Sequence, residues 1–293
     1  MAIIKIFNWK HFKLHILTSL SFLIEKFYFL SEKRLINPAL DLRKMPFVMD
    51  RRGCGSLSYG EWCYNAGIFR SLIYENLKTR EAQVLDVGCG TGLMAIASHS
   101  FLTHKNSQFV GIDVKKESIN FCQKRYNWPN FQFVHLPDHN AHYAPQQKPL
   151  RQKWPVKEES VDLATAVSVW THFNEADALF YIQELARVLK KGARAMVTFF
   201  ILDDEYYKNI NNANSYINKM NLTFSIATSP SRNWFTTSWA KVPESATAIN
   251  GRGLELIKQK SNFKIIKIYN GHWKKGDLGV DGLHLQDIVI FEK

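Results

Sequence analysis

The 293 residues carry few cysteines, no internal repeat, no low-complexity tract and no apolar run long enough to cross a bilayer. Cys54, Cys63, Cys89 and Cys122 show no C-x-x-C spacing, which argues against a disulfide framework or a zinc knuckle and fits a reducing, cytoplasmic compartment. The longest uncharged stretch near the N-terminus, Leu14 to Ile24, has eleven residues and runs into Glu25 and Lys26. A spanning helix needs about twenty, and no small-residue cleavage site follows to mark a secretory signal. No lysine follows a glycine loop in the manner of a phosphate-binding P-loop, and no H-E-x-x-H helix marks a zinc site. His135, His139 and His142 crowd one segment, but without helical spacing they read as solvated loop histidines, and no metal is expected.

With 46% hydrophobic and 13% aromatic residues, the chain can bury one substantial core, one domain with additions. The net charge of +12 invites a polyanion partner, but residues 1–52 hold ten Lys or Arg against four Asp or Glu, so half the excess lies in the first 52 residues. Within residues 1–36, Ile16, Leu20, Leu23, Phe27 and Leu30 recur at helical spacing. Two readings follow for this basic amphipathic helix, whose segment is taken to reach residue 45: peripheral contact with an anionic membrane or a protein partner, or a lid on the domain spanning 46–293. Asn37-Pro38 ends it, Arg51 to Ser56 reads as a loop, and Tyr59 to Asn76 as a helix. Tyr59, Trp62 and Tyr64 of that helix either line a ligand pocket or simply pack.

Val84 to Gly92, Val-Leu-Asp-Val-Gly-Cys-Gly-Thr-Gly, starts as a buried strand, breaks at three alternate glycines and continues into the helical pattern Leu93 to Ala97. Such a turn brings bare backbone N–H groups against a ligand, because no Cβ intervenes. A dinucleotide fingerprint would read G-x-G-x-x-G; here the spacing is G-x-G-x-G, with Asp86 ahead of it. Strands are expected at Gln108–Asp113, Phe131–His135, Val161–Val167 and Ala195–Ile201, separated by helices at Lys116–Tyr126 and Asp177–Leu189. This alternation predicts an α/β fold with a doubly wound, mostly parallel sheet and ligands at the strands' carboxyl ends. Phe263–Tyr269 and Gln286–Phe291 read as an antiparallel edge. Residues 203–240 read as a helical lid carrying specificity, because a bare loop of that length is uncommon, and a helix is expected from Pro243 to Gln259.

The stretch Val84–Gly92 resembles motif I of the class I S-adenosylmethionine-dependent methyltransferases, and the likeness extends over about residues 60–293. The resemblance implies a Rossmann-like fold, S-adenosyl-L-methionine as cofactor and S-adenosyl-L-homocysteine as product. It implies that Gly88, Cys89, Gly90 and Gly92 pack beneath the methionine part and that Asp86 fixes its amino group. Asp113, 25 residues past Gly88, is suited to accept hydrogen bonds from both ribose hydroxyls, with Val114 beside it.

Pro137 to Pro145 (Pro-Asp-His-Asn-Ala-His-Tyr-Ala-Pro) resembles a subgroup of saccharide and small-metabolite methyltransferases. In that reading Asp138, His139 and Asn140 flank the adenine, and either Asp138 or Asn140 reads its edge. Ser168-Val-Trp-Thr-His-Phe173 resembles the subgroup's Ser-Val-Phe-Thr-His-Leu and adds Ser168 to the cofactor set. Leu189 to Ala193 resembles the family's Leu-Lys-Pro-Gly-Gly turn. The Asn-Pro-Pro-Tyr of amino-methylating nucleic-acid enzymes and the Pro-Cys of cytosine-5 enzymes are absent, which counts against nucleic acid. The expected activity is O-methylation of a sugar, glycan intermediate or small metabolite, with His172 as general base and Asp203 in reserve. The alternatives are a nucleic-acid or protein methyltransferase and a non-catalytic S-adenosylmethionine-binding protein at a membrane.

Overall fold

The computed structural model describes residues 20–21, 23–27, 42–51, 58–147, 151–276 and 282–293. The expectations for most of the 1–36 leader and for the loop after Arg51 lie outside these residues.

The central sheet contains β1 (Gln83–Val87), β2 (Gln108–Asp113), β3 (Phe131–His135), β4 (Val161–Ala166), β5 (Leu189–Phe199), β10 (Lys264–Tyr269) and β11 (Asp287–Glu292). Their order is β10-β11-β5-β4-β1-β2-β3. The first five pair in parallel, and β11 runs antiparallel between β5 and β10. Leu85, Leu163, Ala164 and Val197 are fully buried, as strands covered on both faces must be.

Two clusters fill the two faces. On one side, α1 (Tyr59–Asn76), α2 (Leu93–His99) and α3 (Lys116–Arg125) pack against Val84, Phe109, Leu163 and Met196. On the other, α4 (Glu175–Val188) and α7 (Gly251–Ser261) pack against Leu85, Ala164, Val197 and Val289. α4 begins where Asn174 accepts the Asp177 N–H, with Glu175 and Asp177 in its first turn, a favourable placement of acids at a helix N-terminus. It buries Ala178, Ile182, Leu185 and Val188 at helical spacing.

The sheet and its major helices follow the sequence expectation, with three differences. The turn expected at Leu189–Ala193 is absorbed into β5 as an irregularity in its pairing with β4; Gly192 takes φ 74° there and its N–H donates to Lys293 O at 2.8 Å. The expected helix from Pro243 starts only at Gly251, because Thr247–Asn250 forms β9. The 203–240 segment is not a helical lid. It holds two short helices, α5 (Asp204–Asn209) and α6 (Tyr216–Lys219), and two strands, β7 (Phe224–Ala227) and β8 (Trp234–Thr237). With β6 (Ile201–Leu202) they build a second sheet, β6-β9-β8-β7, over Phe200, Tyr206, Phe224 and Trp273. A buried knot ties this sheet to β11: Lys274 Nζ lies 2.8 Å from Asp287 Oδ1, and Asp287 Oδ2 accepts from Ile201 N–H and Trp273 Nε1–H.

The described part of the leader is anchored by charge. Glu25 accepts the Val48 N–H at 2.8 Å and pairs with Arg51 Nη2 at 2.7 Å, both side chains being buried. Removing one partner of a buried pair strands the other and costs about 3–5 kcal/mol. Deleting residues 1–36 should therefore lower the unfolding free energy by roughly that amount, with affinity for S-adenosylmethionine held within a few-fold in the folded fraction. Chemical denaturation of Glu25→Ala and of the deletion checks this; a loss below about 1 kcal/mol would mean that the pair behaves as a surface contact.

Candidate active site

The strand order reverses between β1 and β4, and a cavity of about 600 Å³ opens there beyond the carboxyl ends of β1 to β4. Its floor is the turn after β1. Gly88, Gly90 and Gly92 take φ of 67°, 49° and 89°, a region that side-chain-bearing residues rarely adopt. A Cβ on Gly88 would stand 2.5 Å from Val169 Cγ2, and one on Gly92 2.2 Å from Tyr126 Cε2. Tyr126 is buried and its hydroxyl donates to Thr91 O at 2.7 Å, bracing the turn from behind.

Asp86 closes the inner end. Its Oδ1 accepts from Thr165 Oγ1 at 2.7 Å, while Oδ2 is buried, has no hydrogen-bond partner among the described residues and belongs to a cavity-lining residue. Burial, opposed by Thr165 and reinforced by Asp113, pushes its carboxyl up to about 8. An orphaned carboxylate oxygen in an apolar wall is a site for a cation that brings its own N–H donors. Asp113 accepts from Gly90 N–H at 2.8 Å and Lys115 N–H at 2.7 Å, so it shapes the turn while facing the cavity beside Val114. Each of its oxygens keeps a lone pair for a diol.

The loop after β3 divides the roles of its polar residues. Asn140 is committed to its own backbone: Oδ1 accepts from His142 and Tyr143 N–H, and Nδ2 donates to His172 O. Asp138 accepts from the His139 N–H with Oδ1, and the Gln152 backbone N–H also approaches its carboxylate. Both line the cavity, with His139 between them and Trp154 and Tyr181 stacked nearby at 5.7 Å.

After β4, Ser168 takes φ 58°. Its N–H donates to Thr198 Oγ1 at 2.7 Å, and its hydroxyl accepts from Gln286 Nε2 at 3.0 Å. His172 lines the cavity, but both ring nitrogens are engaged. Nδ1 donates to Glu244 O at 2.8 Å, which leaves Nε2 to accept from the Tyr143 hydroxyl at 3.2 Å. Burial draws His172 down to about 4, against the Glu244 hydrogen bond. Asp203 does not line the cavity. It caps α5 through the Tyr206 N–H and pairs with Lys274, so the reserve base is a structural residue of the second sheet.

Sequence reasoning did not mark Asn65, Tyr143, Trp154, Gln286 or His284 as site residues, though all five line the cavity. Gln286 was marked only as the start of the expected edge strand; His284 and Asn65 had no signal, since they meet across 219 positions of chain.

Residues 84–192 match the profile of a methyltransferase-domain family. The chain carries a class I S-adenosylmethionine-dependent methyltransferase domain. Curated relatives are similar over the same kind of span. A phthiotriol/phenolphthiotriol dimycocerosates methyltransferase of Mycobacterium ulcerans is 28% identical over 119 residues, 40% of this chain and 36% of its own length. A fatty-acid O-methyltransferase of Mycolicibacterium smegmatis is 28% identical over 116 residues, with the same coverage of 40% and 36%. The chain thus aligns with little more than a third of either relative. A solved structure of a Pyrococcus horikoshii protein superposes with a TM-score of 0.50 at 14% identity, covering 79% of this chain and 91% of that one, a likeness of fold.

The cavity of the methyltransferase domain fits S-adenosylmethionine. The glycine floor admits its backbone-hugging amino-acid part, the orphaned Asp86 oxygen awaits an ammonium, and Asp113 offers acceptors to a ribose. Among the described residues no helix is long and apolar enough to cross a membrane, and no three His, Cys, Asp or Glu side chains gather as a metal site.

Proposed function

We propose that this protein transfers a methyl group from S-adenosylmethionine to a hydroxyl of a small acceptor: a saccharide, a glycan intermediate or a lipid-like metabolite. The observation that carries this reading is the buried, unpartnered Asp86 oxygen above a glycine floor, which suits a zwitterionic amino-acid cofactor. When bound, the cofactor supplies an electrophilic methyl on a sulfonium centre.

The chain's own residues do the rest by holding and orienting. Asp86 binds the ammonium, Asp113 the ribose, and Asp138 the exocyclic amine of adenine. Gln286 fixes Ser168 at the carboxyl end of β4. Proximity and alignment of this kind are worth roughly 7–11 kcal/mol in a displacement reaction. Asn65, His284 and Gln286 add uncharged hydrogen-bonding groups to the cavity wall, which suits a hydroxyl compound. The names of the two mycobacterial relatives add lipid-like acceptors to the saccharides suggested by the loop motifs. Exposed Leu20, Leu23, Ile24 and Phe27, in a leader rich in lysine, support peripheral contact with a membrane carrying such acceptors, from the cytoplasmic side.

The test is transfer of isotope-labelled methyl from S-adenosylmethionine into a panel of glycosides, hydroxy fatty acids and polyketide-like alcohols, with products fragmented by mass spectrometry. Label on an acceptor oxygen is the expected result. Label on a base nitrogen or a protein side chain would overturn the hydroxyl reading, and cofactor binding without any transfer would favour a non-catalytic scaffold.

A further inference from the structure

We propose that His284 is the group that receives the acceptor's hydroxyl proton, with Asn65 as its positioning partner. This rests on the hydroxyl-methylation reading above. His284 Nδ1 lies 3.1 Å from Asn65 Oδ1. An amide oxygen can only accept, so Nδ1 carries the hydrogen and Nε2 keeps a bare lone pair. The imidazole lines the cavity and is held edge-on against Phe69, ring centroids 5.2 Å apart. Among the described residues, no protein atom is hydrogen-bonded to Nε2.

The two candidates named from the sequence are engaged elsewhere. Both nitrogens of His172 are engaged, by Glu244 O and by the Tyr143 hydroxyl. Asp203 belongs to the second sheet. Glu61 reaches the cavity mouth from an exposed position in the first turn of α1, where water competes for it. His284 stands two residues before Gln286, whose amide is hydrogen-bonded to Ser168 at the end of β4. An unoccupied acceptor atom on a cavity-lining ring whose tautomer is set by its neighbour is what proton transfer from an alcohol needs.

Burial draws His284 down to about 4. The titratable groups around it are His272, which lowers it further, and Glu61 of α1, which acts on His272. The imidazole is therefore neutral at pH 7 and ready to accept. So weak a base suffices because the proton becomes acidic only as the new bond forms. An oxygen lone pair makes the C–O bond, the methyl–sulfur bond breaks with its electron pair left on the neutral thioether, and the O–H proton passes to Nε2. Its low affinity for that proton then favours release to solvent.

Two measurements test the proposal. In wild-type protein with S-adenosylhomocysteine added, long-range 1H–15N spectra of histidine, assigned with a His284→Gln variant, should show His284 as the Nδ1–H tautomer with bare Nε2. A proton found on Nε2 at pH 7 would overturn the proposal whatever the acceptor proves to be. On any alcohol that the wild type methylates, His284→Ala should lower turnover by about 10²–10⁴-fold with the calorimetric Kd for S-adenosylmethionine changed by less than about threefold. Millimolar imidazole should recover part of the loss, an effect that a purely structural role would not give. Asn65→Leu should lower turnover less and shift the tautomer ratio. Turnover retained in His284→Ala would sink the assignment while leaving the methyltransferase reading intact; absence of methyl transfer in the wild type would sink that reading instead.

Discussion

Asp86→Asn should raise the melting temperature of the cofactor-free protein at pH 8 while weakening S-adenosylmethionine binding at least a hundredfold. The two effects have one cause. Asp86 is fully buried, with one oxygen lacking any partner, and its carboxyl is pushed up to about 8, whereas an unfolded aspartate titrates near 4. Between those values the native state holds a proton that the unfolded chain has released. Stability is therefore present below about pH 4 and is lost as pH rises towards 8, at up to about 1.4 kcal/mol per pH unit. The neutral amide keeps the Thr165 hydrogen bond and escapes that loss, so the variant's advantage should shrink as pH is lowered towards 5. On the proposed reading the same substitution removes the carboxylate that would face the cofactor's ammonium; deleting one partner of a buried charge pair costs about 3–5 kcal/mol, hence the affinity loss. Because binding must ionise Asp86, wild-type protein at pH 7 should release close to one proton per cofactor bound. Calorimetry in buffers of different ionisation enthalpy reads this directly. Equal heats in all buffers, together with an unchanged Kd in Asp86→Asn, would remove Asp86 from the cofactor site.

The parts of this site that were legible in the sequence are those whose cause is local. A strand that must turn within a few residues and present its backbone requires glycine at Gly88, Gly90 and Gly92, and their positive φ values follow from the same need. Acids at Asp86 and Asp113 could be placed because strand ends are marked by the change from apolar to polar sequence. What was not legible depends on partners distant in the chain. Thr247–Asn250 has a strand's composition, but whether it pairs or joins the following helix is decided by Trp234–Thr236 and Ile201–Leu202, in keeping with the contextual nature of strand formation. Asp203 sits at the end of a strand like a functional acid, yet Lys274, 71 residues on, draws it into an ion pair away from the cavity. Asn140 has the chemistry to read adenine, and the loop's own backbone claims it. His284 becomes interesting only once Asn65 is beside it.

Gly92→Ala should abolish measurable cofactor binding and destabilise the fold by about 2–5 kcal/mol, the sum of backbone strain and overpacking that such a site imposes. Gly92 holds φ 89°, where any L side chain is strained whatever space surrounds it. Here space is missing as well: the added Cβ would lie 2.2 Å from Tyr126 Cε2, 2.8 Å from Cζ and 2.9 Å from the hydroxyl. Tyr126 has nowhere to retreat, because it is stacked on Trp128 at 5.2 Å, lies against Phe133 at 5.8 Å and is tied to Thr91 O. The turn must then lift away from the tyrosine and into the space that the cofactor's methionine part would fill. A double-mutant cycle with Tyr126→Leu separates the two contributions. Residues in contact usually couple by about 0.5–3 kcal/mol, so the smaller side chain should relieve the clash and recover part of the stability, while the φ strain and the binding defect persist. Full additivity in denaturation would mean that the ring does not confine Gly92. Cofactor affinity in Gly92→Ala within tenfold of wild type would mean that the floor of the site does not depend on the glycine.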